Sequence, residues 1–99
     1  MEQRGSYEWD DKKAELLAKE RDGLHIVDIA EAIFDSDELA ALYRSSRYPS
    51  QLRAIGSFGG RLMTIVFEDR DDEFGRVTHL SNFWKATKKE IEIYRRAHL

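Results

Sequence analysis

His79 stands inside the run RVTHLSNFW and is the only histidine in a strand-like segment. An imidazole, with an ordinary pKa near 6.5, can act as acid or base at neutral pH. A half-buried sheet histidine with a structural hydrogen bond fits the same position equally well. Arg53 and Arg61 flank Gly59-Gly60, a pair suited to a tight hairpin turn because both positions tolerate positive φ. Across such a hairpin the two arginines can share one face, where their repulsion calls for an anion or acidic partner. That makes them the preferred phosphate ligands, although charges also guard sheet edges. Lys85 follows the His79 strand and Lys88 opens a helix, near whose N-terminus a phosphate is favoured by the dipole. Trp84 can stack a base or simply pack. Tyr94 reads as a core residue of the last helix more readily than as an acid.

These side chains need elements to hold them. SYEW (6–9) reads as a short strand, with Tyr7 and Trp9 on one face. Asp10 or Asp11 can cap the helix KKAELLAKERD, which places Ala14, Leu17 and Ala18 together and ends at Gly23. Ile26, Ile29, Ala30 and Ile33 give HIVDIAEAIF one apolar stripe. Asp35 and Glu38 have capping-box spacing, yet LAALYRSS is read as an edge strand. QLRAIGSF, RLMTIVFE and RVTHLSNFW then form an antiparallel meander, with EDRDDEFG as a solvated hairpin tip. That tip lacks the spaced ligands of a calcium loop. Alternation puts Val77 and Ser81 on the face of His79 and Arg76 on the other. Thr87 and Glu90 have capping-box spacing ahead of the last helix. Lys88, Lys89, Glu92, Arg95 and Arg96 occupy its outward arc; Ile91, Ile93, Tyr94 and Ala97 face the sheet. His25 and His98 sit near helix ends and read as exposed.

Charge divides the chain. The six Lys/Arg and two Asp/Glu from Gly75 onward give +4, while the remaining ten and seventeen give −7. A net charge of −3 argues against a whole-surface polyanion binder, so any nucleic-acid contact must come from a local basic patch. Ninety-nine residues suit one domain, with residues 1–6 as a disordered leader. The absence of cysteine excludes disulfides and thiolate chemistry and fits a reducing cytoplasm. No stretch approaches the roughly 20 apolar residues of a membrane span, so a cytoplasmic location is expected.

YEWDDKKAELLAKERDG (7–23), IVDIAEAIF (26–34), LRAIGSFGGRLMTIVFEDR (52–70) and ATKKEIEIY (86–94) together resemble the BrnT family. Its members open with E-W-D, then carry a helix ending K-H-G, an A-x-x-x-F helix, an A-I-G strand, a G-R-L strand and a final A-T-K-K-E helix. The resemblance implies an α+β, RelE-like fold. Two N-terminal helices pack on a twisted, mostly antiparallel sheet, with an amphipathic helix at the C-terminus. It implies the toxin of a type II toxin–antitoxin system, a metal-independent ribonuclease with no cofactor that inhibits translation. Its partners would be RNA and a BrnA-like antitoxin with a ribbon-helix-helix part, and operator DNA only through that antitoxin. Departures are visible: Glu20 replaces the His of K-H-G with two residues inserted, Gln51 stands where an Arg precedes A-I-G, and SNFWKA replaces S-A-R-R-A with Trp84 and Lys85.

Metal-free RNA cleavage needs a base for the 2′-hydroxyl, an acid for the leaving oxygen, and cations for the charge on phosphorus. The catalytic candidates are therefore His79, Arg61, Arg53, Lys85 and Tyr94, and the RNA-binding candidates Arg76, Trp84, Lys88, Lys89 and Arg95. An acidic body makes unspecific RNA affinity poor, which leans toward ribosome-guided or weak cleavage. The alternative is a non-catalytic module whose basic surface docks a DNA-binding partner.

Overall fold

The strand that begins at Tyr7 lies beside the last strand of the chain, and this long-range pairing organises the molecule. The computed structural model describes residues 1–36, 40–73 and 75–99. Its elements are β1 (Glu2–Arg4), β2 (Tyr7–Trp9), α1 (Asp11–Glu20), α2 (Ile26–Phe34), β3 (Ala41–Arg44), β4 (Leu52–Phe58), β5 (Arg61–Asp72), β6 (Gly75–Lys85) and α3 (Lys88–Ala97). Among the described residues the fold is α+β, with three helices and one six-stranded sheet ordered β1-β2-β6-β5-β4-β3. The β2–β6 pair is parallel and the other pairs antiparallel, so the sheet is mixed.

Local punctuation explains the helices. The Asp10 side chain accepts the Lys13 amide at 3.0 Å, supplying one of the partners that the first turn lacks. At its other end α1 stops where Asp22 (φ 55) and Gly23 (φ 76) turn left-handed and the Gly23 amide reaches the Ala18 carbonyl at 2.7 Å. His25 is half-buried rather than exposed. Its Nδ1 accepts the Val27 amide at 3.1 Å as the cap of α2, and its ring meets Trp9 edge-on. The capping box of α3 forms as its spacing predicts. The corresponding Asp35/Glu38 spacing falls partly outside the described residues.

One face of the sheet carries the core. The α2 stripe of Ile26, Ile29 and Ile33 packs with Ile65, Phe67 and Phe83, all buried. Each such side chain contributes about 1.5–3 kcal/mol of transfer free energy. Leu80 and Phe83 both reach this core although alternation would separate them. A bulge resolves the conflict: Val66 pairs with Asn82 and Phe67 with Leu80, leaving Ser81 as an extra residue. Ser81 consequently borders Trp9, Ala14 and Leu17 on the helix side and does not share the face of His79. Val77 keeps that face, since its partner is Arg70 and that of His79 is Glu68.

Other expectations change. Residues 1–6, expected as a disordered leader, contain β1, which pairs with β2; Arg4 then reaches Glu31 of α2 at 2.6 Å. The tip expected over EDRDDEFG is mostly strand, because β5 continues to Asp72 paired with Gly75. Helix α3 covers the opposite face of the sheet at β3 and β4. Ile91, Ile93 and Tyr94 are half-buried there, whereas Ala97 is exposed. The buried residue of α3 is a charged one, Glu90, at 4 % exposure.

Candidate phosphate cleft and the polar network behind it

The end of α1, the β4–β5 hairpin and the end of β6 meet around a cleft of about 810 Å³. Register accounts for the meeting. Phe58 pairs with Arg61 and Met63 with Lys85, so these four side chains belong to the face that carries α1 and α2. Among the described residues no helix covers that face beyond the last turn of α1, and Glu20, Arg21, Asp22 and Leu24 form the far wall. Arg21 is anchored, with its guanidinium over the Phe83 ring and 2.9 Å from Glu20. Arg61 and Lys85 differ from it. Among the described residues neither has a carboxylate within ion-pairing distance. Two cations in one cleft, outside ion-pairing distance of its acidic wall residues and above an apolar floor of Phe58 and Met63, have the chemistry that suits an anion.

Arg53 does not join Arg61. Its partner is Val66 whereas that of Arg61 is Phe58, so the two arginines lie on opposite faces. The strands pair as expected, but an odd-numbered residue in β4 opposes an even-numbered one in β5, so the two arginines do not share the expected face. Arg53 instead lies between two aromatic rings, 5.7 Å from Tyr43 and 5.1 Å from Trp84. Its Nη1 donates to the Tyr43 hydroxyl at 3.4 Å, and its Nε is buried without a partner among the described residues.

Glu90 closes this network. Its Oε1 accepts both the Trp84 Nε1–H at 2.9 Å and the Thr87 amide at 2.8 Å, and its Oε2 accepts the Tyr43 hydroxyl. Burial disfavours the carboxylate, but donation from Thr87, Tyr43 and Trp84 outweighs it and holds the Glu90 carboxyl below the usual range. The Tyr43 hydroxyl is raised above its ordinary value, first by burial and further by Glu90, against the opposing pull of Arg53. Sequence reasoning found Glu90 only as half of a capping box. Its second role has no local signal, because Tyr43 lies 47 positions away.

His79 occupies the same face as this network but a different strand neighbourhood. Its Nδ1 is 2.9 Å from Glu8 Oε1; Arg70 lies 3.7 Å from Glu8 and 3.1 Å from Glu68. At 14 % side-chain exposure His79 is a sheet residue held by a carboxylate, and the sheet separates it from Arg61 and Lys85. Arg76 is exposed opposite Asp71 at the far end of the hairpin, on the face away from His79. Lys88, Lys89 and Arg95 are exposed on α3. Tyr94 is half-buried and stacks on His98 at 4.0 Å between ring centroids.

Of the candidates, the structure thus gathers Arg61 and Lys85 at one cleft, which Trp84 borders while its indole lies on the α3 face, adds Glu20, Arg21 and Asp22 to it, and disperses the others. Sequence reasoning missed Arg21 and Asp22 as wall residues; the only signal was their place at the end of α1. No protein-family model matches the chain, and no curated protein matches it significantly. Among the described residues no helix is long and apolar enough to cross a membrane.

Proposed function

We propose that this chain is the toxin of a type II toxin–antitoxin system, a metal-independent ribonuclease of RelE-like fold similar to the BrnT family, with the Arg61–Lys85 cleft as its RNA site. One observation carries the reading. Arg61 of the G-R-L string lines one cleft with Glu20 to Asp22 and with Trp84 and Lys85, which stand where the family carries K-H-G and R-R, although the three segments are far apart in sequence.

In this reading Arg61 and Lys85 hold the scissile phosphate and oppose the charge that grows on its oxygens during in-line attack. Phe58 and Met63 receive the unstacked base. Glu20, in the place of the family's His, or Asp22 beside it takes the 2′-hydroxyl proton, and the Lys85 ammonium returns one to the leaving 5′-oxygen. Expression of the chain alone should then arrest bacterial growth, with rescue by the small gene adjacent to it. Indifference of growth to expression, with purified protein that leaves RNA intact in chelator, would sink the proposal.

A docking-only module is the second reading. It is favoured by a separate groove between α2 and β3, lined by Ile33, Phe34, Ala40 and Leu42, with Leu42 62 % exposed on an edge strand. Tight binding of a co-expressed partner without any RNA cleavage would favour it.

A further inference from the structure

Lys85 lies between two residues that one carboxylate oxygen holds. Glu90 Oε1 accepts the indole N–H of Trp84 at 2.9 Å and the backbone N–H of Thr87 at 2.8 Å. The two donors bracket Lys85-Ala86, the point where β6 ends and the chain turns into α3. Trp84 pairs with Thr64 and Lys85 with Met63, so the indole points toward α3 while Lys85 belongs to the cleft side. The Ala86 amide donates to the Leu62 carbonyl at 3.0 Å and ties the same two-residue span to β5. Arg53 stacked on the Trp84 ring, and Tyr43 donating to the other carboxylate oxygen, keep Trp84 and Glu90 in place from beneath.

We infer that Glu90 is a positioning residue for Lys85: from the opposite face of the sheet it fixes the strand end so that the Lys85 ammonium and Arg61 address one phosphate. The inference rests on the cleft being the RNA site. It assigns Glu90 a task that a helix cap does not require. A cap needs the Thr87 amide, whereas the bond to Trp84 reaches back into the strand and constrains the residue between. A lysine on an unconstrained strand end would lose more backbone freedom on binding, and affinity would suffer.

The test is a double-mutant cycle read as affinity for a fluorescein-labelled, fully 2′-O-methylated single-stranded RNA octamer, measured by anisotropy; with no free 2′-hydroxyl to attack phosphorus, binding is separated from cleavage. Wild-type chain should bind, and Lys85→Ala and Arg61→Ala should each weaken binding. Glu90→Gln should weaken it by about tenfold, the order expected for a charge-assisted hydrogen bond. In the Lys85→Ala background Glu90→Gln should then have almost no further effect, because it acts through the missing ammonium. In the Arg61→Ala background its full effect should remain. Trp84→Phe keeps the ring and removes one donor, so it should reproduce the pattern if Glu90→Gln proves too unstable to purify. Losses that add in the Lys85→Ala background, or affinity unchanged by either variant while melting temperature falls, would overturn the inference and leave the cleft intact. Wild-type chain that binds no RNA would remove the functional reading and this inference together.

Discussion

Arg53 and Arg61 flank a single hairpin turn and project from opposite faces of the sheet, the first beneath α3 and the second into the cleft. Two arginines that look equivalent in the sequence therefore have separate consequences when removed.

Arg61→Ala and Lys85→Ala should each lower RNA cleavage by roughly 10²-fold or more, the scale of electrostatic groups at a reacting phosphate. They should leave the melting temperature nearly unchanged, since both side chains are exposed. Arg53→Ala should do the reverse, lowering stability through the Tyr43–Trp84 stack with a smaller effect on rate. His79→Ala should also spare cleavage, because the sheet separates it from the cleft. Single-turnover cleavage and thermal melts on the four variants check this, and a His79→Ala loss as large as that of Arg61→Ala would move the site to the other face.

Acid should weaken the fold through Glu90. Its carboxyl is held below the usual range in the folded chain, so the unfolded chain takes up the proton first as pH falls. The contribution is complete above the unfolded value and is lost as pH descends through the folded one. Urea midpoints measured from about pH 7 down to about pH 3 should decline for the wild type. Glu90→Gln should be less stable at neutral pH and decline less steeply.

Alkali should act through Tyr7. Burial, and then its hydrogen bond to Asp35 at 3.1 Å, push this hydroxyl up to about 12 from 10.0. Unfolded chains lose the proton first, so the stabilisation is intact below 10.0 and disappears as pH rises to about 12. Tyr7→Phe should remove part of that alkaline loss. The remainder should include Tyr43, whose hydroxyl is also raised.

Gly56 should resist even alanine. A Cβ there would lie 2.9 Å from Ile33 Cγ2, inside contact distance, where α2 crosses β4. Gly56→Ala should cost about 1–3 kcal/mol, the usual penalty of overpacking, visible in the urea midpoint. Ile33→Val in the same chain should recover part of it.

Much of the fold was legible because its signals are local. The α2 stripe, the Asp10 and Thr87 caps and the Gly59-Gly60 turn each need only a few neighbouring residues to act. What escaped depends on distant partners. Residues 2–4 become a strand because β2 is there to pair with, and β2 is held by β6. The Ser81 bulge breaks alternation, so the face of Ser81 could not be counted along the strand. At the site, Arg61 and Lys85 were legible as candidate phosphate ligands by residue type. Their separation from His79 and Arg53 was not, since it is a matter of register, and the burial of Glu90 requires Tyr43 and Trp84 to arrive from two other strands.

The cleft draws its walls from residues near positions 20, 60 and 85, and β2 waits for a partner some seventy residues later. Contacts of such long sequence separation form late and slowly. A chain still emerging from the ribosome therefore has no cleft until β6 has been made, because Arg61 and Lys85 cannot meet before then. Whatever this cleft does to a bound molecule must wait until β6 has joined the sheet.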